Sequence, residues 1–545
     1  MSTENRYLGS AKLIAACTLL SRVTGLARDI IVNRAFGQSW VQDAFNYGFL
    51  VPNLFRRLFG EGALSAVFVP VFTETLDQRG RPAAWLLLGR VAGLMTLALT
   101  VLTVLLEIVA LAVWQFAPGG PMRALQAGLT AVMLPFMISV CLLALFASIL
   151  NCIQHFTVPS LLPIVLNLFM IAGVEAIGPL LGAAPEQRVY GVAISVLIAA
   201  VVQLAIIFPV LRRLGVTWRF SLDTHDPELR RILRSFVPIV LGQGVLLLSV
   251  YLDAQICTFL TRGPGMPESF SLLGRTIAYP LTDGALSAIN NAQRLYQFPL
   301  GVLAISLATA AFPLFSLYAS RQDYPGLRAT LGQSMRVAIF EGLPCGVALF
   351  ILAEPIIRLL FQYGRYDADA TARAAYALKW YALGMPAYCC QHIVLRGFYS
   401  LRDTLTPMWI SCALVAVNFV LVLSLLWHPE VREAAFGLGT SVSATLHVAI
   451  SVWLLRRKMQ GRIGARLLIT STMRTALGAA AAGATAWAVD RWVAGVDLSG
   501  MGRLASRGVQ VFGPLGAAVA AYLLVAAVLR MEELRLLLPR RRRPA

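Results

Sequence analysis

The sequence predicts an all-α, polytopic membrane protein, and three observations carry that expectation. Of its 545 residues, 58% are hydrophobic and only 13% charged, an apolar share beyond that of ordinary soluble domains. The apolar residues fall in stretches long enough to cross a bilayer, about 17 to 25 residues each. The basic residues gather in the short gaps between those stretches, where a positive-inside topology puts them.

Taken in chain order, the stretches lie near 9–34, 42–76, 83–115, 124–153, 158–182, 189–211, 229–261, 284–318, 331–360, 372–399, 405–427, 433–455, 467–490 and 509–530. Fourteen transmembrane helices result, with both termini on one side. Windows longer than a simple span imply tilt or extension out of the bilayer. With a cytoplasmic N-terminus, the even-numbered gaps hold Arg79 and Arg81, then Arg212, Arg213, Arg219, Arg230 and Arg231, then Arg321 and Arg328. Arg402 follows, then Arg456, Arg457, Lys458, Arg462 and Arg466, and the tail adds Arg540 to Arg543. The opposite gaps hold about half as many basic residues, so the bias supports both the count and the orientation. The first stretch is expected to be an uncleaved helix, since the apolar run before "IAAC" (Ile14–Cys17) is too short for a signal sequence.

The most polar internal segment, 212–234, follows six spans, and the basic segment 456–466 follows six more. The expected organisation is therefore an N-terminal lobe over 1–220, a C-terminal lobe over 221–460 and two additional helices over 461–545. A weak repeat agrees: "RRLFGEGALSAVFVPVF" (Arg56–Phe72) and "QRLYQFPLGVLAISLATAAFPLF" (Gln293–Phe315) both run from arginine, leucine and an aromatic to proline, any residue, phenylalanine. Two parallel six-helix lobes would surround a central cavity, as in alternating-access transporters.

Charges inside the apolar stretches sharpen this. An arginine near a helix centre costs about 2.5 to 3.5 kcal/mol on insertion scales, so such residues face a polar cavity or a partner. The first helix carries Arg22, Arg28 and Asp29, the second Arg56 and Arg57 with Glu61, and the eighth Arg294. Arg34, at a helix end, is expected to snorkel to the interface. Arg22 and Arg28 point about 120° apart on an ideal helix, so both border one cavity only if the helix bends, which Gly25 would permit. Arg57 and Glu61 have the spacing of a helical ion pair. The excess positive charge suggests an anionic ligand with oxygens for guanidinium forks, such as a phosphate or pyrophosphate. Asp253, alone in "SVYLDAQICTFL", is a candidate for a coupling cation or proton, and Asn418 and Thr440 could supply neutral oxygen ligands.

Several classes are disfavoured. A Walker A motif needs Gly-Lys before Ser or Thr, and Lys12, Lys379 and Lys458 follow Ala, Leu and Arg. The eight cysteines lie almost entirely in apolar runs with no CxxC pair and no clustered histidines, so neither a metal site nor a disulfide framework is expected. The net charge of +19 is spread over short loops and not on a soluble module, against nucleic-acid binding. Short gaps leave no room for a catalytic domain, so no enzyme is expected.

The blocks "SRVTGLARDIIVNRAFG", "DAFNYGFLVPNLFRRLFGEGALSAVFVPVFTE", "RLYQFPLGVL", "LLFQYGRYD" and "GFYSLRDTLTP" together closely resemble the MurJ (MviN) family of bacterial lipid II flippases, within the multidrug, oligosaccharidyl-lipid and polysaccharide exporter superfamily. The resemblance runs in order from Ser21 to about Arg466. It implies movement of undecaprenyl-pyrophosphate-linked disaccharide-pentapeptide from the cytoplasmic to the periplasmic leaflet for peptidoglycan assembly. It further implies fourteen helices, with the last two forming a groove for the polyprenyl tail. By motif, its cavity arginines match Arg22, Arg28, Arg56 and Arg294, and its polar residues match Asp29, Asp43, Asn53 and Glu61. Expected partners are lipid II, membrane lipids and other cell-wall synthesis proteins, in the inner membrane with both termini cytoplasmic. No cofactor is expected beyond a coupling sodium ion or proton. Two alternatives stay open: an antiporting exporter of drugs or other lipid-linked saccharides, and a transport-inactive envelope scaffold. Two departures from the family pattern are an extended segment, 261–291, suggesting an external lid or elbow, and Gln293 and Gln297 where acidic residues are frequent.

Overall fold

The computed structural model describes residues 3–60, 63–116, 120–216, 220–223, 226–272, 274–461, 464–498 and 500–537, without side-chain burial for 3–15 and a few positions in and around helices. Glu61, Arg219, Arg462 and the arginines 540–543 lie outside these residues. The chain is helical almost throughout and divides into two compact units, residues 1–284 with 363–366, and 285–362 with 367–545.

The first unit begins with α1 (Thr3–Phe36), α2 (Trp40–Gly60) and α3 (Ala63–Phe116). α3 is two helices joined at Gly80, which takes φ 78°, a left-handed conformation that a side chain disfavours. α4 (Gly120–Met133) and α5 (Phe136–Cys152) meet at a 40° bend where Pro135 cannot donate a helical hydrogen bond. α6 (Thr157–Ala172) passes through a π-helical turn, Gly173–Ile177, into α7 (Gly178–Leu181), and α8 (Pro185–Arg213) returns beside it. The return is close because glycines face each other: a Cβ on Gly178 would sit 2.9 Å from the Arg188 carbonyl oxygen, and one on Gly191 would overlap the Gly178 backbone. Small residues at such crossings replace the hydrophobic drive that lipid removes.

α9 (Pro227–Phe259) is started by Asp226, whose carboxylate accepts the Glu228 amide at 2.8 Å, the usual satisfaction of orphaned first-turn donors. It packs on α3 and α2 within the first unit. Ion pairs fasten its start: Arg90 to Asp223 at 2.7 Å and to Asp226, Arg79 to Glu228 at 2.7 Å, and Arg231 to Glu74 at 2.8 Å. The extended segment is a β elaboration that the all-helical expectation did not include. β1 (Thr261–Arg262) pairs in parallel with β4 (Leu281–Thr282), and β2 (Ser269–Leu272) pairs antiparallel with β3 (Arg275–Ala278), Phe270 opposite Ile277.

The second unit holds α10 (Ala285–Ser320), α11 (Tyr324–Ile351), the short α12 (Ala353–Phe361), α13 (Ala368–Leu383), α14 (Met385–Ser400), α15 (Leu405–Leu425), α16 (Ala434–Lys458), α17 (Ala465–Ala494), α18 (Arg503–Val528) and α19 (Glu532–Leu537). α17 pairs with α18 and lies along α11, its glycines allowing contact: a Cβ on Gly483 would sit 2.7 Å from Val347.

Large apolar side chains are both buried and exposed. The first unit buries Phe68, Phe72, Phe136 and Phe146 completely, while Val101, Val104, Leu105, Ile108 and Val109 of α3 lie more than half exposed. A surface of that kind is stable against lipid and would associate in water. Among the described residues, eight helices are long and apolar enough to cross a membrane, or nine when α4 and α5 count as one span. The expected stretch 9–34 lies on α1, where Arg22, Arg28, Asp29 and Arg34 interrupt it, and α1 is not among the eight.

Candidate functional site

α1 brings the charges of its apolar sequence against α6. α6 offers one amide in an otherwise aliphatic run, Asn167 in "PIVLNLFM". Asn167 is buried, and its Nδ2 donates to the Ser21 carbonyl at 3.3 Å and the Thr24 hydroxyl at 3.2 Å. Its Oδ1 accepts from Arg28 Nη1 at 3.1 Å. Gly25 sits directly beneath this amide, where a Cβ would lie 3.4 Å from Nδ2. α1 runs as one helix from Thr3 to Phe36, without a break at Gly25.

Arg28 is held on three sides. Nε and Nη2 both donate to Asp29 Oδ1, at 3.0 and 2.6 Å, and Nη1 also approaches Met170 Sδ at 3.7 Å. The pair is largely enclosed, with 13% and 16% of the two side chains exposed, so its charges are weakly screened. One turn on, Asn33 Nδ2 donates to the Asp29 carbonyl at 2.8 Å, and Gln42 Nε2 of α2 donates to Asn33 Oδ1 at 3.0 Å. A polar chain thus joins α6, α1 and α2 inside an apolar unit.

The other expected residues distribute as follows. Arg22 lies two turns before Asp29 on α1 and is exposed. Asp43 is fully buried in the first turn of α2, away from any solvent-accessible surface in this conformation. Asn53 and Arg56 meet on α2, with Arg56 Nε donating to Asn53 Oδ1 at 3.0 Å. Arg294, in the second unit, is exposed on α10 beside Gln297, while Gln293 donates to the Tyr381 hydroxyl at 3.0 Å. The flanking Tyr296 stacks on Tyr381 and Tyr388, with ring centroids 5.1 and 5.0 Å away, which fixes the helix face that presents Arg294.

The coupling candidates do not fall in one unit. Asp253 is buried on α9 of the first, and two residues on, Gln255 donates to the Tyr47 hydroxyl of α2 at 2.9 Å. Asn418 and Thr440 belong to the second. Asn418 is buried on α15 against Gly439 of α16, and the Thr440 hydroxyl donates to the Phe436 carbonyl of its own helix at 2.8 Å.

Two sequence blocks also meet. Gly37, ending "NRAFG", takes φ 67°, and a Cβ there would lie 2.6 Å from the Arg365 carbonyl of "YGRYD". The Arg365 amide donates to the Arg34 carbonyl at 3.0 Å, and the Tyr366 hydroxyl to Gln38 at 3.2 Å. Sequence reasoning missed Asn167, Asn33 and Gln42. The signal for Asn167 was present, an amide alone among aliphatic residues.

The family model described as Lipid II flippase MurJ matches residues 32–499. A probable lipid II flippase MurJ of Rhizobium tropici is 31% identical over 82% of this chain and 80% of its own length. A probable lipid II flippase MurJ of Vibrio cholerae serotype O1 is 28% identical over 98% of this chain and 99% of its own. Among solved structures, a lipid II flippase MurJ in an inward closed conformation superposes with TM-score 0.71 at 20% identity, covering 95% of this chain and 98% of that one. An inward-facing multidrug resistance MATE family transporter of the MOP superfamily matches the fold at TM-score 0.62 and 13% identity, over 83% of this chain and 98% of that one.

Proposed function

The chain belongs to the lipid II flippase MurJ family, a multi-pass membrane transporter family, and from that premise we propose that Arg28, clasped by Asp29 and Asn167, is the point at which the pyrophosphate of lipid II is received. The observation that carries this is the guanidinium itself, whose donors go to Asp29, Asn167 and Met170 within an apolar unit. A carboxylate stands where a phosphate oxygen would bind. A pyrophosphate, with more charge and more acceptor oxygens, displaces Asp29 by competing for the same fork. Asn167 keeps the guanidinium aimed while the exchange occurs.

Arg22 and Arg56, with Asn53 and Glu61, add charge and hydrogen-bonding capacity for the phosphates and sugars in the first unit, and Arg294 does so in the second. The site opens first to the cytoplasm and then to the periplasm, an alternating-access cycle that carries lipid II outward for peptidoglycan assembly. No bond in the substrate is made or broken, so the protein acts as a transporter without enzymatic activity. It resides in the inner membrane with both termini cytoplasmic, where wall-synthesis proteins are its partners. α17 and α18 expose Leu467, Ile469, Leu477, Phe512, Leu523 and Leu524, an apolar surface suited to the polyprenyl tail. Coupling is assigned to membrane potential or an ion gradient through Asp253, and Asp253→Asn should change the dependence of transport on sodium, protons or potential.

The test is complementation. Arg28→Ala should fail to support growth when the resident flippase is depleted, and because it leaves the enclosed Asp29 carboxylate without its partner, its membrane level is measured beside those of the parent and of Arg28→Lys. Full complementation would sink the assignment.

A further inference from the structure

α11 crosses the apolar layer as one helix, yet within "VAIFEGLPCGVALF" it carries Glu341. Seventeen residues separate Glu341 from the helix start and ten from its end, which places it about 5 Å from the helix midpoint at 1.5 Å per residue. That is deep inside an apolar layer about 30 Å thick. Its Oε2 is buried and has no hydrogen-bond partner among the described residues.

Among the described residues, Arg336 of α11 and Arg396 of α14 are engaged elsewhere. On α11 itself the positions one turn away are Val337, Ala338, Pro344 and Cys345, none cationic. Arg336 lies five residues back, about 140° around the helix, and is already committed to Glu532 at 3.1 Å and Glu533 at 3.5 Å of α19. Glu533 in turn accepts from Ser471 of α17 at 2.8 Å. α14 presents the Cys389 thiol, 3.0 Å from where a Cβ on Gly342 would stand, with His392 a turn further and Arg396 beyond it over the Phe312 ring of α10. α18 presents Tyr522, whose hydroxyl donates to the Phe340 carbonyl at 2.7 Å, and α17 brings the uncharged Thr475 beside Tyr522.

An ionised carboxylate at this depth without a cation is strongly disfavoured, and binding a proton relieves it. The side chain is also only half-buried, so a proton there can exchange. The carboxyl neighbours Tyr522 of α18 and Cys389 of α14, beside the seam where small residues bring α11, α17 and α18 together, Gly478 against Tyr522 and Gly483 against Val347. Charge at that seam would draw water between the helices.

We propose that Glu341 is a proton-binding site of the second unit, occupied when α11 is packed on α17 and α18 as here, and emptied when that seam is hydrated during transport. The ligand is a proton, taken up by the carboxylate oxygen and returned to water, with no other bond changed. The transport half of the proposal rests on the flippase reading, whereas proton occupancy does not.

The experiment uses the full-length protein in lipid vesicles and a hydrophobic carbodiimide, which modifies protonated carboxyls in apolar surroundings, with the site read by peptide mass spectrometry. Glu341 should be labelled at low pH, with labelling falling about tenfold per pH unit above its midpoint. Arg28→Ala should block lipid II movement without altering that labelling. Glu341→Gln should melt like the parent but lose the pH dependence of headgroup transport, while Glu341→Asp should retain a pH dependence. Failure of Glu341 to label at any pH overturns the site. So does a Glu341→Gln protein that transports at the parental rate with the parental pH profile. If Glu341→Gln does not fold, labelling of the parent and the Asp variant decide. If the parent itself moves no lipid II, the flippase reading fails and the labelling still decides proton occupancy.

Discussion

At the scale of single residues, the function assigned to Arg28 depends on the shape of its side chain as much as on its charge. Three guanidinium nitrogens reach Asp29, Asn167 and Met170 at once, which a single ammonium cannot reproduce. Arg28→Lys should therefore keep the protein folded and weaken lipid II binding by about 10- to 100-fold, from the loss of roughly 1.5 to 3 kcal/mol of charged hydrogen bonding. Binding to the purified variant measures this, and parental affinity would show that charge alone suffices. Arg28 and Asp29 were legible as charges in an apolar stretch, because lipid penalises them wherever they lack a purpose. Asn167 stood out as an amide among aliphatic residues, but its contact with Arg28 was not legible, because the two lie 139 residues apart in sequence and local spacing says nothing about such a contact. The burial of Asp43 was equally invisible, since its position in a first helical turn is compatible with either exposure.

At the scale of elements, glycine placement decides how closely helices pass. Gly191 faces Gly178 with no room for a Cβ, so Gly191→Ala should destabilise by about 1 to 3 kcal/mol through overpacking, seen as a lower melting temperature. An unchanged melting temperature would mean that α8 shifts freely against α7. Gly25 gives the opposite expectation. A Cβ there finds ordinary contact distance, 3.4 Å from Asn167, and alanine is the better helix former by up to about 1 kcal/mol. Gly25→Ala should keep both fold and transport; lost transport at an unchanged melting temperature would restore the bend expected from the sequence. The apolar stretches announced the helices themselves, because length and hydropathy are local properties. The break of α3 at Gly80, the π-helical turn before α7 and the paired strands of 261–282 were not announced, because each depends on what packs alongside.

At the scale of the whole molecule, loop ion pairs pin helix ends and should make stability sensitive to acid. Asp403, between α14 and α15, accepts the Thr406 amide at 3.0 Å and pairs with Lys458 of α16. Burial pushes its carboxyl up, but hydrogen bonds from Lys458 and Thr406 outweigh that and hold it below the ordinary carboxylate value. A group whose folded value is depressed stabilises the fold above its unfolded value and loses that contribution as pH falls through the folded one. The parent should thus lose more stability on acidification than Asp403→Asn. The difference should be under about 1 kcal/mol, because Lys458 is partly exposed and solvent screens the pair, and identical acid limbs would exclude the pair. The membrane class followed from composition and charge spacing, whereas the packing of α9 on α3 and α2 did not, since it joins segments far apart in sequence. The central claim is that this chain carries lipid II across the membrane through the Arg28 site. It is tested most directly by headgroup accessibility of lipid II at each membrane face after rapid depletion of the protein, with rescue by the parent or by Arg28→Ala. Headgroups should accumulate on the cytoplasmic face and return to the periplasmic face with the parent alone; rescue by Arg28→Ala, or no accumulation on depletion, would contradict the claim.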